Sequence, residues 1–326
     1  MDFLSAESIP WLVPARDKLR SALAAGRMPH ALLIVSIEGL GEQALARWIA
    51  ALVLCQSDAQ APCGRCSACQ LLKADSHPDV HVMALEEKAQ QIKIEQVRDV
   101  TEVLSLKSYR GGYKVGIIEN AELLNTFSAN AFLKTLEEPA GQTLLILVAK
   151  PSHRLPATIA SRCTRISLRS PPLAEGLAWL ADQSGKPGSE AALRLAAGAP
   201  LMAQRLAETD LGELDRDMSA SVQQLAAGRV DVSLLAERWL RSDPELRIIW
   251  LENWITQRVQ AALAGAPSTK SAEPVRLPDS LLKPKIRPLF ELLDAAREFR
   301  RLMATGLNQQ LALEALLVGG RAALAS

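Results

Sequence analysis

The sequence has few aromatic residues, no strong charge of either sign and no long hydrophobic run. Aromatic residues make up 4% of the 326 residues while 48% are hydrophobic, which favours a helix-rich globular protein with an aliphatic core. The formal net charge of +1 gives no global attraction to nucleic acid or to a membrane surface. No apolar run approaches the roughly 18 residues of a membrane-spanning helix. The N-terminal stretch MDFLSAESIPW lacks the charged and apolar regions of a signal peptide, and we expect a cytoplasmic protein.

Cysteine is also scarce, but four of the five cysteines are clustered. Cys55, Cys63, Cys66 and Cys69 follow the spacing C-x7-C-x2-C-x2-C. In a cytosolic protein such a cluster favours metal binding over disulfides, because C-x2-C turns present two thiolates to one Zn²⁺. Four thiolates predict a closed, structural site with one zinc ion per chain; the alternative is four free cysteines in a loop. Cys163 lies far away in sequence and is expected to be a small buried residue.

Apolar segments alternate with helical patterns in the first half of the chain. Apolar runs predict strands at 31–35, 79–83, 114–118, 143–149 and 165–168. Helical periodicity predicts helices at 15–26, 42–54, 94–106 and 121–137. This alternation is typical of an α/β fold with a mostly parallel sheet covered by helices on both faces.

Helical patterns dominate the rest of the chain, with a stretch rich in Pro, Ser and Lys at 264–288. The predicted organisation is an α/β domain at 1–168 with the cysteine insert at 55–69, a small helical domain at 169–208 and an all-helical domain at 209–326.

The segment SIEGLGEQ has the position of a nucleotide-binding loop but lacks its key residues. It joins the predicted strand at 31–35 to the predicted helix at 42–54, which is the context of the motif G-x-x-x-x-G-K-[ST]. Ser36 and Gly41 stand at the two glycine positions, Glu42 at the lysine and Gln43 at the hydroxyl residue. A carboxylate at the helix N-terminus would itself use the helix dipole. We therefore expect weak or absent ATP binding.

A second nucleotide-site motif is also incomplete. In such ATPases an apolar strand ends in Asp-Glu, where the Asp organises Mg²⁺ and the Glu polarises the attacking water. Here the predicted strand at 114–118 is followed by Glu119 and Asn120. An amide cannot act as a general base, and we expect no ATP hydrolysis.

Two further motifs carry a resemblance to a known family. They are ANAFLKTLEEP at 129–139 and LPATIASRC at 155–163. Together with the degenerate loop and the four-cysteine insert, they resemble the clamp-loader branch of the AAA+ superfamily, which includes subunits of bacterial DNA polymerase III. The segment at 308–317 resembles the end of that family's collar domain. The resemblance covers nearly the whole chain and implies an AAA+ domain, a helical lid domain and a helical collar domain for oligomerisation.

The resemblance implies that this chain acts on its neighbour's nucleotide. In that family the arginine of a Ser-Arg-Cys motif projects into the ATP site of the adjacent subunit as an arginine finger, and the matching residue is Arg162. Active members also carry a polar sensor residue after the strand that ends here at Ala149, and a lid arginine where Leu201 stands here. The residues for hydrolysis in cis are thus expected to be missing, while the residue for hydrolysis in trans is kept.

The resemblance also implies partners. The chain would be a non-catalytic member of a five-subunit arc with the ATPase (gamma or tau) and delta subunits. That arc loads the sliding clamp onto primed DNA during replication, within a holoenzyme that has DNA-directed DNA polymerase (nucleotidyltransferase) activity. Contact with the clamp is expected to be weak or indirect, contact with DNA to occur through the complex, and no membrane to be involved.

Two other hypotheses compete with this one. The first is an autonomous AAA+ ATPase with an atypical phosphate loop, which Glu42 and Gln43 disfavour. The second is a zinc-ribbon DNA-binding protein with a helical tail, which the neutral charge and the few aromatic residues disfavour.

Local basic residues offer one candidate for DNA contact. Arg98, Lys107, Arg110 and Lys114 flank the helix and turn before the second motif. They could hold phosphates without reading base sequence, and an ordinary solvated surface is an equal alternative.

Overall fold

The chain folds into two compact units in the computed structural model. The structure describes residues 3–57, 61–86, 89, 91–109, 111–151, 155–184, 189–206, 211–264, 286–303 and 308–325. One unit comprises Met1–Trp179 with Ala199–Met202, and the other comprises Leu180–Gly198 with Ala203–Ser326. The division into three domains at 168 and 208 stays a prediction.

The first unit is built on a five-stranded parallel sheet. Its strands are β1 (Ala31–Val35), β2 (Val80–Met83), β3 (Lys114–Ile118), β4 (Thr143–Ala149) and β5 (Thr164–Ser167), in the order β2-β3-β4-β1-β5. All neighbouring strands run parallel, and in the central pair Ala31 lies opposite Leu145 and Val35 opposite Ala149. Since parallel strands align their carboxyl ends, the segments that follow β1, β3 and β4 meet at one edge of the sheet.

Helices connect these strands and form the second unit. They are α1 (Val13–Ala24), α2 (Glu42–Leu54), α3 (Ser67–Lys73), α4 (Ile94–Ser105), α5 (Thr126–Glu137), α6 (Ala157–Ala160), α7 (Leu173–Ser184), α8 (Glu190–Leu195), α9 (Pro200–Leu206), α10 (Leu211–Ala226), α11 (Val232–Arg241), α12 (Pro244–Ala264), α13 (Ile286–Leu302) and α14 (Gln309–Ala325). Short 3-10 helices occupy Phe3–Ser8, Pro10–Leu12 and Ala121–Leu123.

Both faces of the sheet are covered, as the apolar strand sequences require. Leu32 and Ile34 of β1 belong to the core that α1 and α2 cover, whereas Leu33 belongs to the core that α4 and α5 cover. Because side chains alternate along a strand, a continuously apolar strand supplies both cores. Full burial of each such side chain contributes about 1.5–3 kcal/mol to the free energy of folding. The sheet therefore holds the loops at its edge in fixed positions.

The central elements agree with the sequence patterns, the other predicted strands and helices are shifted or shortened by one or two residues, and two segments differ further. The strands predicted at 31–35, 114–118 and 143–149 and the helix at 42–54 are confirmed at those bounds. The helix predicted at 121–137 is interrupted, because Asn125 accepts a hydrogen bond from the Ser128 amide at 2.8 Å and caps a new helix, α5. Helix α3, which begins after the N-cap Cys66, was not predicted inside the cysteine insert.

In the described residues of the second unit, the secondary structure is helical throughout. Arg247 of α12 binds Asp217 of α10 at 2.5 Å, and the indole of Trp250 donates to Asp215 at 2.8 Å. Trp239 of α11 is buried in the core of this unit. The Pro-, Ser- and Lys-rich stretch predicted at 264–288 lies almost entirely outside the described residues. None of the helices in the described ranges combines the length and the apolar character that crossing a bilayer requires.

Candidate functional site

The segment predicted to be a degenerate phosphate loop forms a glycine turn between β1 and α2. It leaves the carboxyl end of β1, where the Ser36 amide donates to the Ala149 carbonyl of β4 at 3.1 Å. Gly39 and Gly41 both adopt a φ of +89°, a left-handed conformation that glycine tolerates without steric strain. Gly41 is the N-cap residue of α2, so the loop runs directly into the helix end that carries unpaired amides and a positive dipole.

The side chain of Glu42 takes up the amide donors of this loop. Its Oε2 atom accepts a hydrogen bond from the Leu40 amide at 3.2 Å, and its Oε1 atom accepts one from the Gly39 amide at 3.4 Å. As the first residue of α2, Glu42 also places its carboxylate at the positive end of the helix dipole. A phosphate could reach these amides only after the carboxylate had left them.

The outer side of the loop is covered as well. The Leu201 amide donates to the Gly39 carbonyl at 3.1 Å, and the Trp11 indole donates to the Leu40 carbonyl at 2.8 Å. A Cβ atom added to Gly39 would lie 2.6 Å from the Cβ atom of Met202, which measures how closely that segment packs on the loop. Leu201, which stands at the expected position of the lid arginine, thus contributes a backbone hydrogen bond to the loop and no positively charged side chain.

Glu119 and Asn120 lie at the carboxyl end of β3, at the same edge of the sheet. The Glu119 carboxylate is partly buried and lies 4.0 Å from the Arg47 guanidinium. Burial raises the pKa of Glu119, the charge of Arg47 lowers it, and the nearby charge of Glu42 raises it. Asn120 has a φ of +55°, and its carbonyl accepts a hydrogen bond from the Leu123 amide at 2.8 Å. Asn120 therefore shapes the turn that follows β3.

The structure places two basic side chains at this edge of the sheet whose contacts the sequence patterns did not predict. Arg47 projects from α2 and pairs with Asp75 at 2.5 Å, in addition to its approach to Glu119. Lys150 follows β4, and its ammonium binds Glu38 of the loop at 3.0 Å. The sequence does not show these pairings, because each joins segments that only the fold brings together.

Arg162 lies on the surface of the first unit, in the turn between α6 and β5. Its side chain is 36% exposed. The guanidinium donates a hydrogen bond from Nε to the Oε1 atom of Glu137 at 2.7 Å and another from Nη1 to the Thr158 carbonyl at 2.9 Å, while Nη2 forms an ion pair with the same Glu137 oxygen. Glu137 is the last residue of α5, 25 positions earlier in the chain.

The four clustered cysteines come together in space. The Sγ atoms of Cys55, Cys63, Cys66 and Cys69 all lie within 4.8 Å of one another. Backbone amides donate to these sulfurs, and the amides of Arg65 and Cys66 lower the pKa of Cys63 to about 6. Tetrahedral zinc with bonds of about 2.3 Å sets its sulfur ligands about 3.8 Å apart, so this arrangement could hold a metal ion and is compatible with zinc.

Cys163 lies apart from this cluster and is less buried than the sequence predicted. Its side chain is partly exposed. The buried part of the thiol environment raises the pKa of Cys163 to about 11.

The sequence matches DNA polymerase III subunits over most of its length. The sequence model of the family described as "DNA polymerase III, delta subunit" matches residues 14–172. DNA polymerase III subunit delta' of Pseudomonas aeruginosa is 36% identical over 323 residues, covering 96% of this chain and 97% of its own. The delta' subunit of Escherichia coli is 32% identical over 315 residues, covering 95% and 94%.

The chain belongs to the delta-prime family of DNA polymerase III subunits.

Membership of the delta-prime family confirms the resemblance drawn from the two motifs. The DNA polymerase III subunit tau of Escherichia coli is also similar, with 33% identity over 153 residues that cover 47% of this chain and 23% of tau. This delta-prime family member has the parallel-sheet α/β fold of AAA+ clamp-loader proteins, together with a high helical content.

Lys114 does not join the exposed basic residues that the sequence offered for DNA contact. Its side chain is buried, and its ammonium donates to two backbone carbonyls at the C-terminal end of α4. Burial lowers the pKa of Lys114. Arg98 and Lys107 are exposed, and Arg110 lies outside the described residues. In this delta-prime family member Lys114 therefore ties α4 to β3 and is withdrawn from solvent.

Proposed function

We propose that this chain is a clamp-loader subunit that hydrolyses no ATP itself and stimulates hydrolysis in a neighbouring ATPase subunit. It completes a five-subunit arc with gamma or tau and delta subunits, and it helps to load the sliding clamp onto primed DNA. The similarity to delta' and tau subunits of DNA polymerase III supports a clamp-loader complex as its setting. The helical segments that follow residue 168 supply the lid and this chain's share of the collar of that arc.

The contact between Glu42 and the loop amides carries this proposal. A nucleotide brings several negative charges to the N-terminus of α2, where a carboxylate already accepts the hydrogen bonds of Gly39 and Leu40. The replacement of the lysine by Glu42 turns an attraction of the β- and γ-phosphates into a repulsion. Gln43 and Asn120 supply neither the Mg²⁺-binding hydroxyl nor the catalytic carboxylate.

The exposure of Arg162 supports its role as an arginine finger. A finger must reach a phosphate of another subunit, and guanidinium is suited to this task because its N–H groups form a rigid fork. Arg162 stands at the surface with part of that fork accessible to solvent. Fingers supplied in trans raise kcat by roughly 10³–10⁵ through stabilisation of the charge that develops on the transferred phosphoryl group.

The cysteine cluster holds a structural zinc ion in this proposal. Cys55 caps the C-terminal end of α2, whereas Cys66 caps the N-terminal end of α3. A zinc ion bound to all four sulfurs would neutralise the thiolates and fasten the insert to the α/β core. Four thiolates leave no open position for a substrate, so the site has a structural role.

Two measurements test the proposed function. Calorimetry on the isolated chain should detect no micromolar ATP binding, and the same chain should show no turnover. In the reconstituted complex with primed DNA and clamp, Arg162→Ala should reduce hydrolysis at the adjoining ATP site by roughly 10³-fold or more while assembly is kept. Arg165→Ala is the matched control, because Arg165 is also exposed and lies three residues away on β5. ATP turnover by the isolated chain, or an unchanged rate with Arg162→Ala, would refute the proposal.

A further inference from the structure

The Glu137 side chain binds the Arg162 guanidinium, and the proposed function gives it no role. We infer that Glu137 is the positioning residue of the finger: its carboxylate fixes the guanidinium so that the remaining N–H groups face a phosphate of the neighbouring subunit. This inference rests on the proposed role of Arg162 in trans.

The hydrogen bonds of Arg162 leave a defined set of donors. A guanidinium has five N–H groups, one on Nε and two on each Nη nitrogen. Glu137 accepts a hydrogen bond from Nε and forms an ion pair with Nη2, and the Thr158 carbonyl accepts a hydrogen bond from Nη1. At least one N–H on each Nη nitrogen therefore remains for a ligand. Two such donors are what a bidentate contact with phosphate oxygens requires.

The elements that carry the two acceptors are firmly packed. Glu137 ends α5, whose Phe132 and Leu136 are fully buried in the core beneath the sheet. Thr158 belongs to α6, where Ile159 is also fully buried. The guanidinium is thus held between two fixed points of the fold. An arginine without such anchors would sample many rotamers and would reach a phosphate in the productive geometry only part of the time.

Folding stability does not account for this pair. The Arg162 side chain is 36% exposed and the Glu137 side chain 50% exposed. Ion pairs with that degree of exposure are screened by water and contribute little to the free energy of folding. The Arg162–Glu137 pair instead fixes the direction of the exposed guanidinium.

The opposite effect of Glu137 is also physically possible, and it predicts the opposite result. A carboxylate bound to Arg162 could act as a competitor that a phosphate must displace. In that case removal of Glu137 would speed up hydrolysis in the neighbouring subunit. A positioning role predicts that its removal slows hydrolysis.

Single-turnover ATP hydrolysis at the adjoining site, in the reconstituted complex with primed DNA and clamp, distinguishes these effects. We expect Glu137→Ala to lower the rate about 10- to 100-fold with unchanged ATP affinity, because a finger displaced by about 1 Å loses transition-state contacts and not ground-state binding. Glu137→Gln should retain an intermediate rate, since the amide oxygen can still accept a hydrogen bond from Nε. Glu138→Ala is the matched control: it removes the adjacent exposed carboxylate, which makes no contact with Arg162 in the described part of the chain.

A double variant completes the design. If Glu137 acts through Arg162, then Arg162→Ala combined with Glu137→Ala should be no slower than Arg162→Ala alone. A slower double variant, a wild-type rate with Glu137→Ala, or a faster rate with it would each overturn the inference. A normal rate with Arg162→Ala would overturn the finger and this inference together. A large loss with Arg162→Ala beside a normal rate with Glu137→Ala would overturn the inference alone.

Discussion

Replacement of Glu42 by lysine restores the residue that phosphate loops carry at this position, and we expect it to harm the chain instead of making it an ATPase. Lysine cannot accept the hydrogen bonds of the Gly39 and Leu40 amides that Glu42 accepts. The loop would still be covered by Leu201 and Met202, and the hydroxyl and the catalytic carboxylate would still be missing. Glu42→Lys should therefore lower stability without conferring micromolar ATP binding.

The expected loss of stability follows from the contacts of the carboxylate. Two hydrogen bonds at 3.2 and 3.4 Å are long, so we assign them about 0.5–1 kcal/mol each. Removal of a negative charge from the first turn of α2 costs about 0.3–1 kcal/mol, and addition of a positive charge there costs about as much again. The total is about 2–4 kcal/mol.

Urea denaturation of Glu42→Lys and the unaltered chain, followed by tryptophan fluorescence, measures this loss. Amide hydrogen exchange at Gly39 and Leu40 reports the two hydrogen bonds locally. Gln43→Lys is the control, because it adds one positive charge at an exposed position one residue later, removes no negative charge and leaves the contacts of Glu42 in place. Its cost should be only about 0.3–1 kcal/mol. Equal stability of the two variants would show that the carboxylate does not hold the loop. Micromolar ATP affinity of Glu42→Lys would show that Leu201, Met202 and the missing side chains do not prevent nucleotide binding.

Two further predictions concern the cysteine cluster and the loop backbone. Metal analysis of the purified, reduced chain should find about one zinc per chain, and Cys63→Ser should abolish this signal whereas Cys163→Ser should not; a metal-free chain would contradict the zinc assignment. Gly39→Ala should destabilise the chain by more than Gly141→Ala in thermal unfolding, because both glycines have a positive φ but only at Gly39 does the new methyl group meet a neighbour, Met202. Equal losses would mean that Met202 gives way at no cost.

The strands at the centre of the sheet could be predicted because their sequences leave few alternatives. The residues of β4, TLLILVA, are buried on both faces, and a short continuous apolar run has that property only in a covered parallel sheet or a buried helix. The start of α5 could not be predicted in the same way. The pattern at 121–137 is helical throughout, and the interruption depends on the cap at Asn125 and the positive φ of Asn120.

In the candidate site, too, some features could be predicted from the sequence and others could not. The sequence alone shows that position 42 holds Glu instead of the motif lysine and that position 120 holds Asn instead of the motif glutamate. This is possible because a motif fixes where each residue belongs. The partners of functional side chains cannot be read, since they depend on rotamers and on packing between distant segments. Glu137 is 25 residues away from Arg162 and meets it only because α5 and the turn before β5 are neighbours in the fold.

The loop of this chain contains its own anion, and that changes how the chain responds to its surroundings. A protein that binds a nucleotide gains a free energy of RT ln(1 + [L]/Kd), about 2.7 kcal/mol at a hundredfold excess over Kd, and loses it when the ligand departs. Glu42 is covalently attached, so its local concentration does not vary with the nucleotide pool of the cell. The melting temperature of the first unit should therefore stay constant when ATP is replaced by ADP or removed. In the proposed arc, the stability of this chain would then not follow the nucleotide state of the neighbouring subunits.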